Sequence, residues 1–162
     1  MDKSCVEPIC ASKKDAMKSM FAQKGKGQAA SKSTSAALSP CPPDREELGT
    51  HSWTLLHTMA AYYPEQPTDE QRTAARAFID SLSKLYACTH CAEHFREEIR
   101  EDPPRVESRA ALSVWMCKAH NRVNSMLGKP EFECVLEKLD RRWRTGEAHC
   151  HNGLADDHYE AE

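Results

Sequence analysis

From Asp44 to Trp143 the apolar residues recur at spacings of three and four, and no stretch alternates with period two over a useful length. A pleated strand needs alternation, whereas a helix needs an i, i+3, i+4 face, so this segment is restricted to helices. Breakers divide it. Asp44 and Glu47 have the spacing of a capping box, and Leu48, Leu55, Leu56, Met59 and Tyr63 follow at helical spacing up to Pro64 and Pro67. Thr68 with Gln71 opens a second helix that carries Ala75, Phe78, Ile79, Leu82 and Leu85 on one face. A third, short helix is expected from about Cys91 to Arg100, ahead of Pro103 and Pro104. A fourth runs from about Ser108 to Leu127, with Gly128 at the position of a C′ glycine and Pro130 beyond it. A short fifth helix is expected around Val135–Trp143. The expected fold class is therefore all-α: a four-helix bundle with a short fifth helix.

The chain of 162 residues has room for one domain of ordinary size. Residues 11–40 are Lys, Ala, Ser, Gly and Gln with almost no large apolar side chain, and such a segment cannot bury enough surface to offset its ordering entropy. The expected organisation is a flexible N-terminal segment over 1–40, a helical domain over 41–150 and an acidic tail over 151–162. Residues 1–40 hold seven Lys against Asp2, Glu7 and Asp15, a balance of +4. With the whole chain at −3, the remainder carries −7, which argues against a nucleic-acid groove. No stretch approaches the ~18 apolar residues of a membrane span. No apolar h-region follows the start, and the first 20 residues contain acids but no Arg, so neither a secretory signal nor a mitochondrial presequence is expected.

Eight cysteines are too many for a typical cytosolic enzyme and suggest disulfides. Cys88 and Cys91 form a C-x-x-C at the start of the third helix. Two intervening residues let the sulfurs meet, and the free N–H groups and positive dipole end of a helix stabilise a thiolate. A thiolate attacks a disulfide and donates to an electron-poor ring. The other reading of the same residues is a zinc site built from Cys88, Cys91, His94 and Cys117, although no second C-x-x-C exists to complete it. No resident metal is expected. A thioredoxin-like site is excluded because no βαβ pattern surrounds the motif. Cys117 and Cys134 flank the Gly128 turn, where a disulfide would be a staple worth about 3 kcal/mol. Cys41 and Cys150 bracket the domain and are able to pair with each other or across a twofold axis. Cys5 and Cys10 lie beyond the linker, either as a tethered redox pair or as two terminal thiols.

Gly49, Trp53 and His57 stand at i, i+4 and i+8 on the first helix, and His120 and Asn124 share that spacing on the fourth, beside Asn121. Arg142 and Trp143 come from the last segment. Facing inward, these residues make a flat, partly polar slot suited to an aromatic ring with hydrogen-bonding edges. Each alone is more often core or surface; the informative feature is that three segments contribute.

The blocks CPPDREELGTHSWTLLHTMAAYYPEQPT at 41–68, LYACTHCAEHF at 85–95, WMCKAHNRVNSMLGKPEFEC at 115–134 and RRW at 141–143 resemble the Erv/ALR family of FAD-dependent sulfhydryl oxidases. The resemblance covers about residues 41–150. It implies a helical bundle, usually a homodimer, that holds FAD among its helices. Cys88 would be the interchange thiol facing a reduced protein substrate, and Cys91 would lie against the flavin. Arg45, Gly49, Trp53, His57, Lys84, Cys117, His120, Asn121, Asn124, Lys129, Arg142 and Trp143 would contact FAD. Cys117–Cys134 would be structural, Cys41 and Cys150 an intersubunit pair, and Cys5–Cys10 a shuttle, with C-x4-C in place of the usual C-x-x-C. Electrons would pass to oxygen or cytochrome c. The family's usual home is the mitochondrial intermembrane space, where the donor is an import-linked disulfide carrier. Two other classes compete: a zinc-stapled helical adaptor and a disulfide-rich growth-factor-like protein.

Overall fold

A computed structural model describes residues 41–147 of the chain. Within them the elements are α1 (Arg45–Ala61), α2 (Asp69–Leu85), α3 (Thr89–Glu101), α4 (Arg109–Met126) and α5 (Leu136–Asp140), the last running into a π-helical turn, Arg141–Thr145. Among the described residues there is no strand.

The helix starts follow from local chemistry. The Asp44 carboxylate accepts the N–H groups of Glu46 and Glu47 at 3.0 and 2.9 Å, and Glu47 reaches back to the Asp44 N–H. Thr68 and Gln71 close the second capping box at 3.1 and 2.8 Å. Ser108 caps α4 by accepting the Ala111 N–H. Gly128 adopts φ 64°, which L side chains rarely accept, and its N–H bonds the Ser125 carbonyl as α4 ends.

Two elements depart from expectation. α3 begins at Thr89 rather than Cys91, because the Cys88 sulfur itself caps the helix, accepting the Cys91 N–H at 3.4 Å. The segment expected as one helix over Val135–Trp143 divides at Asp140 into a single α-turn and the wider π-turn, which ends at Gly146 with φ 68°.

α1 packs on α4, α2 on α3, α4 on α5, and the π-turn returns to α1. Leu56, Ala60, Tyr63, Ile79, Val106, Leu112, Trp115, Met116 and Ala119 form the core. Leu55, Phe78 and Leu85 do not join it, contrary to the helical stripes on which they fall. Leu55 is 57% exposed and Leu85 83% exposed. The stripes on α1 and α2 are wider than the single α1–α4 and α2–α3 seams that cover them.

Two tethers fix the last segment. The Cys117–Cys134 disulfide joins α4 to the approach to α5. Arg109, buried at the start of α4, bonds Glu65 from the α1–α2 loop and both carboxylate oxygens of Asp140 at the end of α5. Replacing Arg109 with Leu leaves Asp140 without its partner just before the π-turn. Full burial of an orphaned charge costs about 3–5 kcal/mol, and partial exposure of Asp140 and Glu65 brings the expected loss to about 1–3 kcal/mol. Urea unfolding of R109L checks this; a loss below about 0.5 kcal/mol, the scale of an exposed pair, would refute the tether.

Candidate functional site: an aromatic cleft and a C-x-x-C disulfide

Between α1, α4, the 129–132 turn and the π-turn lies a cleft of about 420 Å³. It is lined by His57, Cys117, His120, Asn121, Asn124, Lys129, Arg142 and Trp143, all among the residues singled out in the sequence, and by Pro130, Glu131, Phe132 and Leu139, which were not. Its size falls in the ~300–1,000 Å³ range of ligand and cofactor sites.

His57, His120 and Trp143 of the lining belong to a ladder of rings that continues behind the cleft. Trp53 stacks on His120 with centroids 4.1 Å apart and planes 5° off parallel. His57 stacks on Trp143 at 4.6 Å and 2°. The pairs are joined by a 3.0 Å contact between His57 Nε2 and His120 Nδ1, so one ring donates an N–H and the other accepts it. At the far end the edge of Phe95 meets Trp53 at 6.3 Å. The ladder thus runs from α3 through α1 and α4 to the π-turn.

Both imidazoles are held neutral. Burial, assisted by His120 and Arg142, lowers His57 from 6.5 to about 3. Burial, with Arg142 and then Lys129, lowers His120 to about 4. Cationic character in the cleft therefore comes from Lys129 and Arg142. The Arg142 guanidinium lies 4.9 Å over the Trp143 ring and 5.7 Å from Phe132, and Lys129 lies 3.9 Å from Glu46. The combination of flat ring faces, neutral imidazole edges and two cations fits a planar heteroaromatic group carrying phosphates. A second hollow, about 360 Å³ and lined by Asp44, Glu46 and Glu47, has the wrong charge for phosphate.

The other candidates divide. Asn121 builds the wall rather than leaving its amide open: it donates to the Phe132 carbonyl at 2.7 Å and accepts the Phe132 N–H at 2.9 Å. The Asn124 carbonyl accepts the Lys129 N–H at 2.8 Å, which closes the turn. Arg45, Gly49, Trp53 and Lys84 do not line the cleft: Trp53 stands behind the lining residue His120, on which it stacks, and Lys84 pairs with Asp80 on α2 at 2.7 Å. Phe132, Leu139 and Phe95 carry no motif that marks them, although Phe95 stands four residues after Cys91 on the same helix face.

Cys88 and Cys91 are joined as a disulfide at the start of α3. Cys88 is buried and Cys91 half-buried, the reverse of what a substrate-facing Cys88 would show in an uncovered chain. With Cys88 bonded to Cys91 and Cys117 bonded to Cys134, the zinc site read from Cys88, Cys91, His94 and Cys117 has lost its three thiolates. Cys41 is exposed; Cys5, Cys10 and Cys150 lie outside the described residues.

The profile of the Erv1/Alr family matches residues 50–144. The chain belongs to the Erv1/Alr family. It is 50% identical over 105 residues to the mitochondrial FAD-linked sulfhydryl oxidase ERV1 of Saccharomyces cerevisiae, covering 65% of this chain and 54% of that protein. It is 42% identical over 117 residues to FAD-linked sulfhydryl oxidase ERV1 of Arabidopsis thaliana, covering 72% and 59%. The chain thus spans little more than half the length of these curated relatives. The crystal structure of the yeast Erv1 core superposes with a TM-score of 0.65 at 47% identity, covering 70% of this chain and 96% of that one. The structure of the FAD-binding domain of yeast Erv1 gives 0.60 at 50% identity, covering 62% and 94%. This Erv1/Alr chain therefore has the all-α fold of those cores.

The neutral histidines have a consequence in acid. An unfolded histidine binds its proton near 6.5, whereas folded His57 and His120 resist until about 3 and 4. Their contribution to stability is complete above pH 6.5 and is lost as the pH falls from 6.5 towards 4. The slope is at most about 1.4 kcal/mol per pH unit for each histidine. Denaturant unfolding at stepped pH should show this fall, flattened in His57→Gln; an equal slope in both proteins would refute the neutral pair.

Proposed function

We propose that this chain is an FAD-linked sulfhydryl oxidase that introduces disulfides into partner proteins through Cys88–Cys91. The observation that carries the reading is the position of that disulfide. Cys88 caps α3, and Cys91 stands one helical turn before Phe95, whose ring meets Trp53 in the ladder behind the cleft. Membership of a family whose curated relatives are named FAD-linked sulfhydryl oxidases supports it.

In the proposed reaction a thiolate of a reduced partner attacks Cys88. The Cys88–Cys91 bond breaks, Cys91 leaves as a thiolate, and a mixed disulfide forms. The partner's second thiolate then attacks its own bridged sulfur, releasing an oxidised partner and the Cys88–Cys91 dithiol. The N–H groups opening α3 stabilise the thiolates that form there; one of them already points at the Cys88 sulfur. Bound FAD would supply the two-electron acceptor that returns the pair to its disulfide, with oxygen or cytochrome c as the final acceptor. His57, His120, Trp53 and Trp143 hold the flat walls, and Lys129 and Arg142 supply charge for the diphosphate.

The division of roles rests on helix face rather than exposure. Cys91 shares its face with Phe95 and thus with the ladder, which leaves Cys88 for the partner; attack there requires that the cover over its sulfur be displaced. Cys5–Cys10 would relay electrons from the partner. Leu55, Tyr62, Phe78 and Leu85 leave apolar surface on α1 and α2 that a homodimer would cover, with Cys41 and Cys150 bridging the subunits. The mitochondrial intermembrane space is the proposed compartment, with an import-linked disulfide carrier as donor; the yeast relative is named mitochondrial.

Flavin-loaded Cys88→Ser and Cys91→Ser should each lose dithiothreitol-dependent oxygen uptake by about a hundredfold or more. A reduced partner left with only its attacking cysteine should be trapped on the intact protein as a mixed disulfide with Cys88, as the Cys88–Cys91 bond breaks and Cys91 leaves as a thiolate. Undiminished turnover in either variant would remove the pair from the mechanism, and a mixed disulfide found on Cys91 would reverse the roles.

A further inference from the structure

The sequence H-C-A-E-H at 90–94 sets two histidines four residues apart on α3, a spacing that the redox chemistry does not use. Helical spacing of i, i+4 places both rings on one face, the arrangement by which two helical histidines share a zinc ion. His90 is exposed, and the His94 side chain is 41% exposed. Their rings meet edge-on with centroids 4.4 Å apart. The two Nε2 atoms are 3.2 Å apart.

That separation matches what a single ion requires. Two imidazole nitrogens bound at ~2.0–2.1 Å with a tetrahedral angle lie about 3.3 Å apart, and at a right angle about 2.9 Å. The observed pair, which shares an N–H···N hydrogen bond between the rings, falls between these limits, so an ion taking the place of that proton needs no change in the nitrogen separation. Glu97 stands one turn further on, its carboxylate 3.9 Å from Nδ1 of His94. That is the side of the ring where a carboxylate orients a ligating histidine and raises its basicity. Among the described residues no third ligand is in place, so the remaining positions fall to water, as in an open site.

We propose that His90 and His94 form a bidentate site for a divalent transition-metal ion of the zinc and copper class, on the exposed face of α3 beside the redox disulfide. The site is separate from the cleft, whose His57 and His120 are committed to each other and to the Trp stacks. It is also independent of the flavin assignment, because neither of its ligands lines the cleft. An ion held there places a double positive charge within one helical turn of Cys91.

The test uses the full-length flavin-loaded protein with its disulfide intact, stripped of metal by chelation and titrated with zinc chloride in a calorimeter. One zinc step per chain is expected, weakened at least about tenfold in both His90→Asn and His94→Asn. The flavin spectrum and far-ultraviolet dichroism of each variant should match the parent, which separates ligand loss from unfolding. Copper(II) bound at equal stoichiometry should give an electron paramagnetic resonance spectrum split by two nitrogens, absent from both variants. A zinc isotherm unchanged in either variant, or a copper spectrum that survives both substitutions, overturns the site.

Discussion

The 3.0 Å contact between His57 and His120 joins the parts of the molecule that matter for chemistry. It links α1 to α4 at the point where each histidine also stacks on a tryptophan, one from α1 and one from the π-turn. The contact works only while at least one ring is neutral, because two imidazolium ions have no acceptor nitrogen between them. Burial and the neighbouring cations enforce that neutrality. The wall of the cleft, the docking of the π-turn and the acid sensitivity of the fold therefore share one cause.

The π-turn is held from three sides. Trp143 stacks on His57, Asp140 is bonded by Arg109, and the Cys117–Cys134 disulfide anchors the chain just before α5. Such redundancy suits a short segment whose five-residue α-helix could not persist alone. Asn121 adds a fourth tether by engaging both backbone groups of Phe132. Residues that resemble ligand contacts in sequence thus divide into those that face the cleft and those that keep its walls in place.

The helices were legible because caps and breakers are local. Asp44, Thr68, Ser108 and Gly128 act within one turn of themselves, so their chemistry can be read from neighbours in sequence. Much of the cleft was legible for the same reason: the i, i+4 spacings of Trp53 with His57 and of His120 with Asn124 carry their faces with them. What escaped was set by tertiary contact. Leu55, Phe78 and Leu85 keep helical spacing yet face outward, because spacing gives a stripe's direction and not the width of what covers it. Arg109 has no motif; its importance depends on Glu65 and Asp140 arriving from distant segments. The start of α3 moved because a sulfur took the capping role usually held by oxygen. Phe95, Phe132 and Leu139 are ordinary apolar residues until the fold places them beside the rings.

The Cys88–Cys91 disulfide is linked through α3 and Phe95 to the ring ladder behind the cleft, and in the proposed oxidase electrons pass from that disulfide to a flavin held in the cleft. The most direct measurement is the absorption spectrum of the purified protein before and after anaerobic addition of a dithiol. The purified protein is expected to be yellow, absorbing at about 450 nm. That band should bleach on dithiol addition and return on admitting oxygen, and it should persist unbleached when Cys91 is replaced by Ser. A colourless protein, or a flavin band that dithiol bleaches equally well without Cys91, would contradict that transfer.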